Sequence, residues 1–197
     1  MSLDGFGGTL VVNLPPPLPK LDFIGSRVVK ILSGGTDFVS LQVSGFVAEA
    51  AHPKFGKVTL RQPDADPGPN GILALAPDGA GLIEVWRQGM DITFERCGDC
   101  PGPFRFSTLE PAEWTAHLPE FPPPRQGTTQ VGAPTGGARY RMTRPLRFGA
   151  QPGAQSVAEP AACRCALQAP LRSSNPATGL EYARIESLDF RQGRRTG

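Results

Sequence analysis

Long apolar runs are missing from this 197-residue chain: no stretch approaches the roughly 18 consecutive apolar residues of a membrane-spanning helix, so no membrane span is expected. Histidine is nearly absent. Only His52 and His117 occur, and any histidine-based catalytic or metal triad must use one of them. Neither sits in a motif, and no Gly-x-Ser-x-Gly, His-Glu-x-x-His or Walker sequence is present. Lysine is limited to four residues, and no concentrated basic patch or aromatic-basic RNA motif appears, which argues against a nucleic-acid module. The first basic residue is Lys20 and no apolar segment follows the start, so the N-terminus as written is not a signal peptide. Met1-Ser2-Leu3 reads as a cloning scar. A soluble chain is expected, either cytoplasmic or exported with its leader removed.

What the chain has in excess is turn chemistry. Its 24 Gly and 22 Pro are 46 of 197 residues, while 39% hydrophobic and 19% charged residues are a globular mixture. The net charge of +2 is uneven: residues 1–98 carry 8 basic and 10 acidic groups, and residues 99–197 carry 12 and 8. All twelve basic residues of the second half are arginine, a bias that the base composition of a bacterial-type genome would produce.

Alternation of apolar and polar residues is the strongest structural signal. Across 38–47 it places Val39, Leu41, Val43 and Val47 on one face and Ser40, Gln42 and Ser44 on the other, as in a half-buried strand. Similar runs occur at 9–14, 27–32, 57–61, 72–76, 82–87, 90–96, 104–108, 139–148 and 182–190. Pro77-Asp78-Gly79-Ala80-Gly81 and Gln88-Gly89 are turn sequences, so 72–108 reads as a four-stranded antiparallel meander. About ten strands with an apolar inner face lead to an all-β antiparallel sandwich spanning 8–190, with flexible termini at 1–7 and 191–197.

Helix is expected only over 108–118, where Pro111 would lie in the first turn, and in a short or broken form over 155–167. The segment 119–138 contains Pro122-Pro123-Pro124 and Gly136-Gly137 and reads as a long loop, the first surface to test for binding. Pro15-Pro16-Pro17 ends the first strand.

Four cysteines form the one cluster of reactive groups: Cys97-Gly-Asp-Cys100 and Cys163-Arg-Cys165. As thiolates they could close a structural zinc site, zinc being the one cofactor this spacing admits, although Cys-x-Cys is a poor ligand turn. Oxidised, Cys97 or Cys100 would cross-link to Cys163 or Cys165. Buried inert thiols are the third reading. A thioredoxin-like role is disfavoured because no helix follows Cys97-x-x-Cys100.

Two other groupings carry potential chemistry. Asp64, Asp66, Asn70 and their glycines superficially resemble a calcium loop, yet the twelfth position is Leu75 where a bidentate Glu is required. Period two on 139–148 puts Arg139, Arg141 and Arg147 on one face, a row able to hold a small anion, with Tyr140, Met142, Leu146 and Phe148 opposite and a bulge at Arg144-Pro145. The functional expectation is a binding or structural interaction module with a protein or small anionic ligand as partner. The alternatives are a small hydrolytic or metal-dependent enzyme built on the cysteines or on His117 near Trp114, and an assembly subunit that buries an apolar face against its own copy.

Overall fold

Period-two alternation recurs along nearly every described segment, and each such segment is a strand. The computed structural model describes residues 1–63, 67–131, 134–150, 163, 165–173 and 179–194. In chain order the strands are β1 (Ser2–Val11), β2 (Lys20–Gly34), β3 (Phe38–His52), β4 (Gly56–Arg61), β5 (Gly71–Leu75), β6 (Leu82–Gln88), β7 (Asp91–Cys97) and β8 (Cys100–Thr108). They continue as β9 (Ala112–Leu118), β10 (Gly127–Thr128), β11 (Pro134–Thr135), β12 (Ala138–Met142), β13 (Leu146–Ala150), β14 (Glu181–Ile185) and β15 (Asp189–Gly193). Every pairing is antiparallel, and no helix occurs among the described residues. The all-β antiparallel class expected from the sequence is the class observed.

Thirteen strands form one continuous sheet in the order β14-β13-β8-β7-β4-β3-β2-β1-β15-β12-β9-β6-β5, with β10–β11 a separate small hairpin. Two further pairings, β14 with β1 and β5 with β3, close this sheet on itself twice. The first closure makes a ring of β1, β2, β3, β4, β7, β8, β13 and β14; the second makes a ring of β1, β2, β3, β5, β6, β9, β12 and β15. The shared strands run from one ring into the other. Thus β1 pairs with β15 through Ser2–Phe6 and with β14 through Leu10–Val11, while β3 pairs with β5 through Phe38–Leu41 and with β4 through Val47–His52. Opposing walls of one sheet thereby enclose the apolar interior, which meets the same need as a sandwich to bury an apolar face. Closure pairs the terminal strands β14 and β5 on both sides, while residues 28–34 of β2 pair with β3 alone among the described residues.

The crossing between rings explains where local pattern misleads. Residues 72–108 are not a meander: β5–β6 and β7–β8 are hairpins of different rings, with β6 next to β9 and β7 next to β4. Gln88-Gly89-Met90 carries the chain across, and the Met90 side chain is fully buried there. The run 139–148 is likewise two strands, β12 in the second ring and β13 in the first, so the expected bulge at Arg144-Pro145 is the crossover itself.

The expected helix at 108–118 is strand β9. Ala112, Trp114, Ala116 and Leu118 point inward and alternate with Glu113, Thr115 and His117, a period of two that the acidic start and Pro111 obscure. Of the termini expected to be flexible, residues 2–4 pair with 191–193, and 5–6 with 189–190, as β1 and β15. Segment 119–138 is tied down in part: Gln126 donates to the Arg191 carbonyl at 2.5 Å, and Arg194 pairs with Glu120 at 2.5 Å. Most of the short helix expected at 155–167, with Asp64, Asp66 and Arg195, lies outside the described residues.

In β3 the alternation changes phase. An extra residue at Ser44, opposite the Val28–Val29 step of β2, leaves Leu41 and Val43 inward but turns Phe46, Ala48 and Ala50 inward beyond it. Val47, assigned above to the same face as Leu41, consequently faces out. Close approach in this wall requires glycine at position 25, where a Cβ would lie 2.1 Å from the Val47 carbonyl oxygen.

The second ring is filled chiefly by aromatics. Trp86 and Trp114 stack with centroids 4.5 Å apart, and Phe46 and Phe190 pack against Trp86. The Trp114 indole N–H donates to the Leu188 carbonyl at 3.0 Å, so this fully buried ring leaves no orphan donor. In the first ring Phe55, Phe94, Phe106 and Tyr182 form a chain of ring contacts.

Candidate functional site

Inside the second ring lies a buried ionic centre that no local motif announces. Arg27 on β2 is fully buried, and its Nη2 donates to Glu84 Oε1 on β6 at 2.6 Å. Tyr140 on β12 donates its hydroxyl to Glu84 Oε2 at 2.5 Å. The guanidinium carbon lies 4.6 Å from the Trp86 ring centroid and 5.0 Å from that of Tyr140, so the π faces receive charge that no further carboxylate neutralises. Arg27 Nε and Nη1 and both amide atoms of buried Gln192 have no hydrogen-bond partner among the described residues. Burial, followed by the Glu84 charge, pushes the Tyr140 phenol well above its ordinary value. All three side chains are sealed from solvent, so the centre bears on the packing of the ring.

The cysteines meet at the end of the first ring. Cys97 and Cys100 stand opposite each other at the β7–β8 turn, where Gly98 has φ 63° and spares the turn a side-chain clash. Cys97 is joined to Cys165 and Cys100 to Cys163, with Cα separations of 5.8 and 5.7 Å. Of the readings left open by spacing, the cross-linked one is the arrangement present. A four-sulfur zinc site would need these same atoms as thiolates. Beside the bridges is a cleft of about 550 Å³ lined by Asn13, Lys54, Asp99 and the cysteines themselves.

The remaining sequence-level candidates do not converge. Arg139 and Arg141 belong to β12, whereas Arg147 is on β13 in the other ring. Arg139 donates through Nε and Nη2 to Asp189 at 3.0 and 2.7 Å, and Arg147 pairs with Glu181 at 3.0 Å. Asn70 is spent on structure, accepting from the Val43 N–H and donating to Gln88. His117 is exposed on the outer face of β9 without a hydrogen bond or ion pair among the described residues. His52 accepts from the Lys54 N–H at 3.2 Å, and burial, followed by the Lys54 charge, lowers its pKa.

One surface feature went unseen in the sequence because it depends on the phase change in β3 and on which strands are neighbours. The outward faces of β2, β3 and β5 carry Ile24, Val28, Val47, Phe38 and Ile72, all exposed. Ile24 is 72% exposed and Val28 56%. The outward residues of β9 are Glu113, Thr115 and His117, and those of β4 include Lys57, Thr59 and Arg61, so the apolar character is local.

Two tests follow from this geometry. Because the Tyr140 phenol is raised in the folded protein while an unfolded tyrosine titrates near 10, the folded state holds more protons above that pH. Stability should therefore be intact below about pH 10 and fall above it. Denaturant titrations of wild type and Tyr140→Phe should show the variant about 1–3 kcal/mol less stable at neutral pH but with a shallower alkaline decline.

The disulfides close nested loops, with sequence separations of 68 and 63, so either one alone supplies most of the constraint on the unfolded chain. Replacing both pairs by serine should cost about 4 kcal/mol and replacing one pair far less. Mass spectrometry without reductant or chelator should find no alkylatable thiol. Four free thiols with one bound zinc would contradict the pairing.

Comparison with known proteins adds no assignment: no protein-family model, curated protein or solved structure matches the chain.

Proposed function

We propose that this chain is a binding or structural interaction module whose contact surface is the outward face of β2, β3 and β5. The supporting observation is the cluster Ile24, Val28 and Val47, large apolar side chains left in water on adjacent strands, with Phe38 and Ile72 exposed on the same face farther along β3 and β5. The exposed surface of the cluster is roughly 300 Å², comparable to the largest apolar patch on a typical monomer. Isolated exposed apolar residues are ordinary; a row of them on neighbouring strands carries a continuing cost in solvation unless something covers it.

The reading moves the contact surface away from the loops. Segment 119–126 is occupied in holding the β1 and β15 ends, through Gln126, Glu120 and the Pro123 carbonyl that accepts from Arg194. Rigid paired strands also suit an interface, since little side-chain or backbone ordering remains to be lost on association.

The test is a photoactivatable phenylalanine analogue placed at Val28 in producing cells, with Thr59 on the outward side of β4 as control. Discrete covalent adducts are expected from Val28 and not from Thr59. No adduct from Val28, or equal adducts from both positions, would defeat the interaction reading.

A further inference from the structure

We infer that the occupant of this face is a second copy of the chain, packed face to face about a two-fold axis through Ser26; the inference rests on the interaction reading above and names its partner. The outward residues of β2 read Asp22, Ile24, Ser26, Val28 and Lys30, in the order acid, apolar, small, apolar, base. The phase change between β2 and β3 is taken up in β3, so this row keeps its alternation along β2. A two-fold rotation through Ser26 sets Asp22 of one copy against Lys30 of the other, Ile24 against Val28, and Ser26 against itself. Asp22 and Lys30 are eight residues apart, about 26 Å along a strand, and this spacing is necessarily the same in both copies, so both charge pairs meet in one register.

The charges are available for that use. Lys30 makes no ion pair among the described residues, and Asp22 accepts only the Gly7 N–H, at 2.8 Å, leaving its charge without a cation. Asp4, exposed on β1 directly beside Ile24, adds to the acidic end. Ser26 at the centre is short enough for the sheets to approach, with Val47 beside it on β3 to extend the apolar contact. Within the Asp22–Lys30 span each copy contributes Ile24, Val28 and Val47, roughly 300 Å² of apolar surface, and a polar rim supplies the rest of the ~800 Å² per partner of a standard interface. Edge-to-edge association is the other common route for β proteins: β14 and β5 are already paired on both sides, and residues 28–34 of β2, which pair with β3 alone among the described residues, would offer an edge that leaves the Asp22–Lys30 complementarity unused. A shared face uses those charges, and an isologous contact is the usual way for a chain to close on its own copy.

Sedimentation velocity and light scattering on the purified, non-reduced chain across the micromolar range decide the matter. The expected mass is twice the 20.9 kDa of one chain. Lys30→Asp should weaken the dimer at least about tenfold by setting two acids together, and Asp22→Lys combined with Lys30→Asp should recover it. Ile24→Arg, on a side chain already in solvent, should give a folded monomer with unchanged near-ultraviolet circular dichroism. A monomer at every concentration, or a dimer indifferent to all of these substitutions, would overturn the second-copy assignment. If the purified chain is monomeric while the Val28 probe still yields adducts of other mass in cells, the face serves a different partner and only the self-association is refuted. Absence of both dimer and adducts would refute the interaction reading as well.

Discussion

A guanidinium cannot be left alone in an apolar interior, and the second ring is organised around meeting that constraint. Arg27, Glu84 and Tyr140 come from β2, β6 and β12, no two of which are neighbours in the ladder. The contacts among them therefore fix opposite walls of the ring and not adjacent strands. A charge removed from water costs several kcal/mol, which is regained only when partner and geometry are both in place. A slip of one residue in any of the three strands would turn its side chain outward and leave the others unpaired. Hydrophobic packing favours closure of the sheet in general; this centre discriminates among the registers in which it could close. The stacked Trp86–Trp114 pair and Phe190 supply the apolar bulk around it.

The first ring solves the same problem by covalent means. Its end near β7 and β8 is bridged to the 163–165 segment by two disulfides, while its interior is a chain of aromatic contacts and its buried carboxylate, Glu181, pairs with the half-buried Arg147 and Arg184 of neighbouring positions. The three shared strands join the halves, and their irregularities are where they change partners: the shift between Gly5 and Gly8 in β1 and the extra residue of β3 at Ser44. The same phase change that sends Phe46 into the core sends Val47 into solvent. Val47 thus joins the outward apolar side chains of β2 because one continuous wall serves two interiors.

Strand existence was legible because burial on one face imposes a period of two, and β4, β5, β6 and β7 lie where alternation places them. Strand partnership was not. Local pattern cannot show that Gln88-Gly89-Met90 and Arg144-Pro145 carry the chain between rings, since a crossover and a hairpin use the same turn residues. β9 was hidden by an acidic start that resembles a helix N-terminus, although Trp114, Ala116 and Leu118 held the strand period throughout. The cysteine cluster was legible as a cluster, and its pairing was one of the readings that spacing left open. Arg27 and Glu84 carried no signal: each sits in an alternating strand at an inward position, where a charged residue looks like a mistake in the pattern unless its partner 57 residues away is known.

The most direct test is a double-mutant cycle on Arg27→Met and Glu84→Leu, followed by equilibrium unfolding. Each single replacement should cost about 3–5 kcal/mol, because it strands the other charge in the core, whereas the double replacement should cost less than either. The resulting coupling, together with an unchanged circular dichroism spectrum of the double variant, would place the ion pair at the centre of the second ring's register. Additive losses, or single variants as stable as wild type, would show that the two side chains are not joined in the interior and that the closure of this ring is held by something else.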